Sequence, residues 1–266
     1  MIEVKDVTVR FGENTVLDHV STTFHRGKTN LVIGRSGSGK TVLLKSIIGL
    51  LSVTEGEIIY DDVVFNKLDF SGQKEIRKEI GMIFQGSALF DSLNVEKNVM
   101  FPLDMFTDMT ISQKRDRVNF CLQRVDLEKV NKLSPAELSG GMRKRVAIAR
   151  AIALNPKYLL CDEPNSGLDP QTSIVIDNLI RELTEEYNMT TIINTHDMNS
   201  VLQIGDKVSF IYQGRIEWEG TKDDILHSHN EHLDDFVFAS ELGKKIKASA
   251  VEITNENSNS ATKKIF

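Results

Sequence analysis

The first two dozen residues alternate apolar with polar. Ile2, Val4, Val7 and Val9 have polar neighbours, and Val16, Leu17, Val20 and Phe24 continue the pattern over 15–24. That spacing predicts antiparallel strands with one wet face. A short apolar run, Leu31 to Ile33, breaks into a glycine-rich stretch, and from Thr41 onward Val42, Leu43, Leu44, Ile47 and Ile48 recur at helical spacing. Ile58 to Tyr60 and Val63 to Phe65 flank Asp61-Asp62 as a hairpin around an acidic turn. A charged helix from Gln73 to Lys78 then leads to an apolar strand, Ile80 to Phe84, that ends at Gln85.

Over residues 95–153 the period becomes helical. Val95, Val99, Leu103 and Phe106 form one stripe, broken by Pro102; Val118, Cys121, Leu122 and Val125 form a second; Val146, Ile148, Ala149 and Ile152 form a third. A helical block between two parts of a sheet domain reads as an inserted subdomain. An apolar strand from Tyr158 reaches Asp162-Glu163, a helix carries Ile174, Ile176, Leu179, Ile180 and Leu183, and a buried strand over 190–194 ends at Thr195-His196-Asp197. The class is α/β.

The glycine-rich stretch is Gly34-Arg35-Ser36-Gly37-Ser38-Gly39-Lys40-Thr41. Strand, glycine loop and helix in this order turn backbone N–H groups and a helix dipole toward one point, which suits a polyphosphate. Lys40 is placed to reach the β and γ phosphates and the Thr41 hydroxyl to meet Mg²⁺. Asp162 suits the outer shell of Mg²⁺, and Glu163, next along the strand and facing the other side, suits the orientation or deprotonation of an attacking water. Gln85 either ligates Mg²⁺ and senses the γ phosphate or is a hinge glutamine. Ser139 is a natural N-cap, and Gly140-Gly141 behind it make either a second anion site or a flexible helix start. Ser166-Gly167-Leu168-Asp169-Pro170 turns tightly into a helix. His196 stands where ligands meet an α/β sheet. Phe11 either stacks on an adenine or packs into the sheet.

Composition narrows the classes. At 266 residues and 40% hydrophobic content the chain can bury a substantial core, and its net charge of −6 offers no global attraction to nucleic acid. Cys121 and Cys161 have no C-x-x-C partner, so neither a zinc site nor a disulfide framework is expected. No secretory signal is expected at the N-terminus, and no window holds 18 apolar residues. His227, His229 and His232 have a spacing that could bind metal, but polar neighbours favour a solvated stretch.

Taken together, GRSGSGKT, Gln85, LSGGM, YLLCDE, SGLD and His196 resemble the motifs of an ABC-transporter nucleotide-binding subunit over roughly residues 1–225. The resemblance implies a P-loop NTPase of ABC type, with an antiparallel β-subdomain and a helical subdomain at about 86–157 inside a cassette of residues 1–240. It makes Phe11 the adenine-stacking aromatic, Gly34 to Thr41 the Walker A loop, and Gln85 the residue that reports to the permease. It makes Ser139, Gly140 and Gly141 the signature that closes on a second subunit's nucleotide. Glu163 becomes the catalytic carboxylate, Asp169 the D-loop residue and His196 the γ-phosphate contact. ATP and Mg²⁺ are the implied cofactors, and a head-to-tail homodimer and a membrane permease are the implied partners, on the cytoplasmic face of the inner membrane. Arg35 stands where a proline is common and Met142 where glutamine is common. Those variants, with FQGSALFDSLNVEKNV, look like the Mla/Mce-type ATPases that serve phospholipid transport between bacterial membranes, in complexes with a lipid-binding Mce-type protein. An amino-acid or ion importer is the alternative, followed by a soluble ATPase acting on nucleic acid or ribosomes. Ala88-Leu89-Phe90 favours the transport motor, as a segment that could meet a permease helix. The extension over residues 241–266 is polar but carries Ile246, Val251, Ile253, Ile265 and Phe266, and is either disordered, a clasp on the partner ATPase or a basic segment that meets anionic lipid.

Overall fold

In the computed structural model, which describes residues 1–239, the N-terminal alternation becomes a hairpin. β1 (Ile2–Phe11) and β2 (Asn14–Phe24) pair antiparallel from Ile2↔Phe24 to Phe11↔Asn14, and all seven of their apolar positions from Ile2 to Phe24 named above other than Val16 are buried. β3 (Lys28–Ile33) crosses into a second sheet and runs into α1 (Lys40–Ile47). β4 (Glu55–Tyr60) returns to β1, and β5 (Val63–Val64) completes a sheet of order β2-β1-β4-β5. The strand expected to reach Phe65 stops at Val64. Phe65 turns inward against Tyr60, with ring centroids 5.3 Å apart, and Asn66 bonds the Ile58 N–H and the Gly56 carbonyl, so a 3-10 turn replaces the last strand residue.

α2 (Phe70–Lys78) begins before the expected Gln73, because Asp69 caps it by accepting from the Gly72 N–H at 2.8 Å. β6 (Ile80–Ile83) follows, and then α3 (Val95–Phe106), α4 (Ile111–Arg124) and α5 (Gly140–Ala151). Pro102 does not interrupt α3. An interior proline costs about 3 kcal/mol, but Val95, Val99 and Leu103 are fully buried, and each contributes about 1.5–3 kcal/mol. β7 (Tyr158–Asp162), α6 (Pro170–Glu186), β8 (Thr190–Thr195) and α7 (Met198–Ile204) then alternate. β9 (Lys207–Tyr212), β10 (Arg215–Gly220) and α8 (Glu231–Val237) close the described part; the predicted clasp over 241–266 lies outside it.

The second sheet has the order β10-β9-β3-β8-β7-β6, parallel except for the antiparallel edge strand β10. Its two faces feed two cores. On one, Val32, Leu160, Ile192 and Ile211 pack with α1 and with the inner face of the antiparallel sheet; on the other, Leu31, Ile33, Leu159 and Ile193 pack with the helical segments. Tyr60 against Tyr158, edge-on at 4.9 Å, joins the two sheets. Strands β3, β6, β7 and β8 therefore present their C-terminal ends along one edge.

Candidate active site

The loop after β3 is braced on both sides. At Gly34 a Cβ would lie 2.3 Å from the Ile211 carbonyl oxygen, and at Gly39, with φ of 113°, it would lie 2.8 Å from Leu17 Cδ2. Only glycine fits these approaches. The Gly214 N–H also donates to the Ser38 carbonyl at 3.1 Å, so β2 and the β9–β10 turn hold the loop from outside. Lys40 opens α1 and folds its ammonium back, donating to the Gly34 and Arg35 carbonyls at 2.8 and 3.0 Å. It is only 6% exposed; burial pushes its pKa below the usual lysine range, against the charges of Glu163 and Asp162. Two carbonyls leave one ammonium N–H free for another acceptor. The buried Ser38 Oγ has no partner, while Arg35, Ser36 and Gly37 form the exposed rim. An unpaired buried hydroxyl beside a buried cation fits a phosphate.

Across from the loop, Thr41 Oγ1 donates to Asp162 Oδ1 at 3.2 Å, and Asn194 Nδ2 donates to the same oxygen at 3.1 Å. These hard oxygen donors suit Mg²⁺. Glu163 leaves β7 with φ of 47°, a left-handed conformation unusual for a side-chain-bearing residue, and its N–H is held by the Asn194 carbonyl at 2.9 Å. The turn separates the two carboxylates. Glu163 Oε1 lies 3.0 Å from His196 Nδ1, and Gln85 Nε2 donates to Ser166 Oγ at 3.1 Å and, more weakly, to Glu163 Oε2 at 3.4 Å. The sheet edge thus brings together Lys40, Thr41, Gln85, Asp162, Glu163 and His196.

Other predicted residues stand apart from that group. Ser139 caps α5 by accepting from the Met142 N–H at 3.2 Å, and the Gly140 and Gly141 amides ahead of it have no intrahelical partner. Ser139, Gly140, Gly141 and Asp169 line a separate cavity of about 620 Å³. A Cβ at Gly141 would sit 2.7 Å from Thr172 Cγ2, so the glycine lets α5 approach α6 closely. Asp169 caps α6, accepting from the Thr172 N–H at 3.0 Å and from its hydroxyl at 2.6 Å, and these bonds hold its carboxyl below the usual range. Phe11 ends β1 with its ring 50% exposed, so it does not pack into the sheet. His232 stacks on Tyr212 at 4.1 Å and bonds Glu217; among the described residues no group of three His, Cys, Asp or Glu side chains could hold a metal.

Sequence reasoning missed Asn194 and Ser166. Asn194 carried a signal, an amide directly after the apolar pair Ile192-Ile193 near the end of a strand; Ser166 carried none, since serine is ordinary in a loop.

A braced phosphate loop at the strand edge of a parallel sheet, facing paired carboxylates, defines a P-loop nucleoside-triphosphatase. The family pattern described as "ABC transporter" matches residues 17–166. MlaF, the ATP-binding protein of the intermembrane phospholipid transport system of Haemophilus influenzae, is 38% identical over 237 residues, covering 89% of this chain and 90% of that protein. The methionine import ATP-binding protein MetN of Campylobacter jejuni is 37% identical over 267 residues, covering 93% of this chain and 80% of that protein. Among solved structures, the ATP-binding cassette MJ0796, in a dimeric post-hydrolysis state with ADP and Pi, is similar with a TM-score of 0.76 and 35% identity, covering 84% of this chain and 99% of that one. The chain belongs to the ABC transporter family, as an ATP-hydrolysing ATP-binding subunit. Among the described residues, no helix is long and apolar enough to cross a membrane.

Proposed function

We propose that this chain drives a complex that moves phospholipid or another lipid between bacterial membranes. The observation that carries the hydrolytic part is Glu163, held between Gln85 and His196 beside the Lys40 loop. Lys40, Ser38 and the loop amides from Gly34 to Gly39 bind the phosphates, and the rim residues Arg35, Ser36 and Gly37 flank them. Glu163 orients and deprotonates the attacking water. His196 fixes the carboxylate and contacts the γ phosphate, and Phe11 stacks on the adenine. Thr41 and Gln85 would hold Mg²⁺, with Asp162 in its outer shell; when bound, the ion supplies positive charge to the phosphate oxygens.

The separation of Ser139, Gly140, Gly141 and Asp169 from the Lys40 loop supports a head-to-tail homodimer. Each protomer's signature closes on its partner's nucleotide, so binding of ATP closes the pair and hydrolysis reopens it. The cassette spans residues 1–240, with its helical subdomain at about 86–157. An apolar cavity of about 380 Å³, lined by Phe84, Ala88, Phe90, Phe101 and Phe106, supports permease docking from the cytoplasmic face of the inner membrane. A lipid-binding Mce-type protein joins through the complex, and nucleic acid is not a partner.

Similarity to MlaF and the Met142 variant of the signature support the lipid cargo. Similarity to MetN keeps an amino-acid importer as the second reading. The test is to purify the tagged chain with its membrane partners and reconstitute the complex in vesicles. Co-purifying phospholipid and ATP-dependent lipid transfer between vesicles are expected; ATP-dependent amino-acid uptake without lipid transfer would overturn the lipid assignment.

A further inference from the structure

α5 carries two cations, the buried Lys144 and the half-buried Arg150, that the site described above does not use. Lys144 is 5% exposed, and its ammonium donates to the backbone carbonyl of Gln85. Six residues further on, Arg150 donates through Nη1 to the Ala88 carbonyl at 2.7 Å and through Nη2 to the Ser87 carbonyl at 2.8 Å. Ser87 and Ala88 both have left-handed backbones, with φ of 64° and 47°. Neither is a glycine, so the turn needs outside support, and the arginine supplies it.

We propose that Lys144 is a positioning residue for ATP hydrolysis, acting through Gln85: its bond to the Gln85 carbonyl sets where the Gln85 amide stands relative to Glu163 and Ser166. The inference rests on the catalytic reading of Gln85. Gln85 is held at two points, its carbonyl by Lys144 and its amide by Ser166 and Glu163. Loss of the first grip frees the residue to rotate about a chain already in a strained turn. It also leaves the Gln85 carbonyl without its charged donor, and such bonds are among the stronger ones in a protein.

The grip has a mechanical side. Ser139, Gly140 and Gly141 begin the same helix that holds Gln85 through Lys144 and Ser87-Ala88 through Arg150. The apolar cavity that Ala88 and Arg150 help to line thus adjoins the helix that begins at the signature and holds Gln85.

The test uses the full-length chain and ATP titrations in the presence of Mg²⁺. Lys144→Met keeps the side chain's reach and removes the donor; Lys144→Gln restores a neutral donor and serves also if the methionine variant folds poorly. For Lys144→Met, kcat per folded protein should fall about tenfold with KM changed less than about twofold, and Lys144→Gln should recover most of the loss. In a Gln85→Ala background, Lys144→Met should cost little more, since both act through one amide. Wild-type turnover in Lys144→Met, or an additive loss in the double variant, would overturn the proposal. Full activity in Gln85→Ala alone would instead remove the reading of Gln85, and the proposal with it.

Discussion

Glu163 Oε1 and His196 Nδ1 lie 3.0 Å apart, at the ends of neighbouring strands joined in register by Asp162↔Asn194. The sheet therefore fixes their distance before any nucleotide binds. Glu163→Gln keeps the shape and removes the base. Turnover should drop by about 10² or more while ATP binding is retained, as measured by single-turnover hydrolysis beside equilibrium nucleotide binding. Hydrolysis at near wild-type rate would take Glu163 out of its role.

Lys40→Ala removes the one buried cation bonded to the Gly34 and Arg35 carbonyls. Charge-assisted contacts to phosphate are worth about 1.5–3 kcal/mol, so ATP affinity should weaken at least about tenfold. Calorimetric titration reads this directly, and unchanged affinity would contradict it.

Two glycines of the antiparallel sheet should part company in stability. Gly56 has φ of 91°, and a Cβ there would sit 2.3 Å from the Asp6 carbonyl oxygen; Gly12 has φ of 61° with nothing within 4 Å. Gly56→Ala adds a backbone clash to the left-handed penalty and should lose about 2–4 kcal/mol, against about 1–2 for Gly12→Ala. Urea midpoints at equal slope decide the order.

Asp177 lies under the loop that leads away from Glu163, with Oδ1 accepting from Asn165 Nδ2 at 2.7 Å. Burial pushes its carboxyl above the ordinary value of 3.8, against hydrogen bonds from Ser200 and Asn165, and the nearby Asp197 pushes the same way as burial. The folded protein thus holds this proton more tightly than the unfolded chain does. Its contribution to stability is complete below the ordinary carboxylate pKa and is lost as pH rises through the folded value. Asp177→Asn lacks that loss, so its stability relative to wild type should rise as pH increases above the ordinary carboxylate value. A pH-independent difference would show that Asp177 is not the group responsible.

Local pattern carried most of the frame. Alternation marked β1 and β2, and the glycine loop between an apolar run and a helical stripe marked β3 and α1, because each feature is set by neighbours in sequence. Features settled at long range were silent. Lys144 carries no signal in its local sequence, since its partner Gln85 is 59 residues away. β10 was not anticipated because its inward residues, Ile216 and Trp218, are only half-buried and its charged positions dominate the pattern. At the site, residue types gave the phosphate loop and both carboxylates. The left-handed turn at Glu163 and the Asn194 side chain that holds Asp162 depend on strand register, which composition does not encode.

The phosphate loop, wedged between Leu17 on one side and Ile211 and Gly214 on the other, is a mould set before it is filled. Little ordering remains to be done when a nucleotide arrives, so the loop gains affinity at small entropic cost. A ligand held with equal affinity in two states shifts neither, so a loop braced in advance is poorly suited to drive switching by itself. Tight holding and switching are therefore separate duties in this molecule. On the roles proposed above, the sensing of a third phosphate falls to Gln85, Glu163 and His196, which are bonded to one another at the strand ends facing the loop.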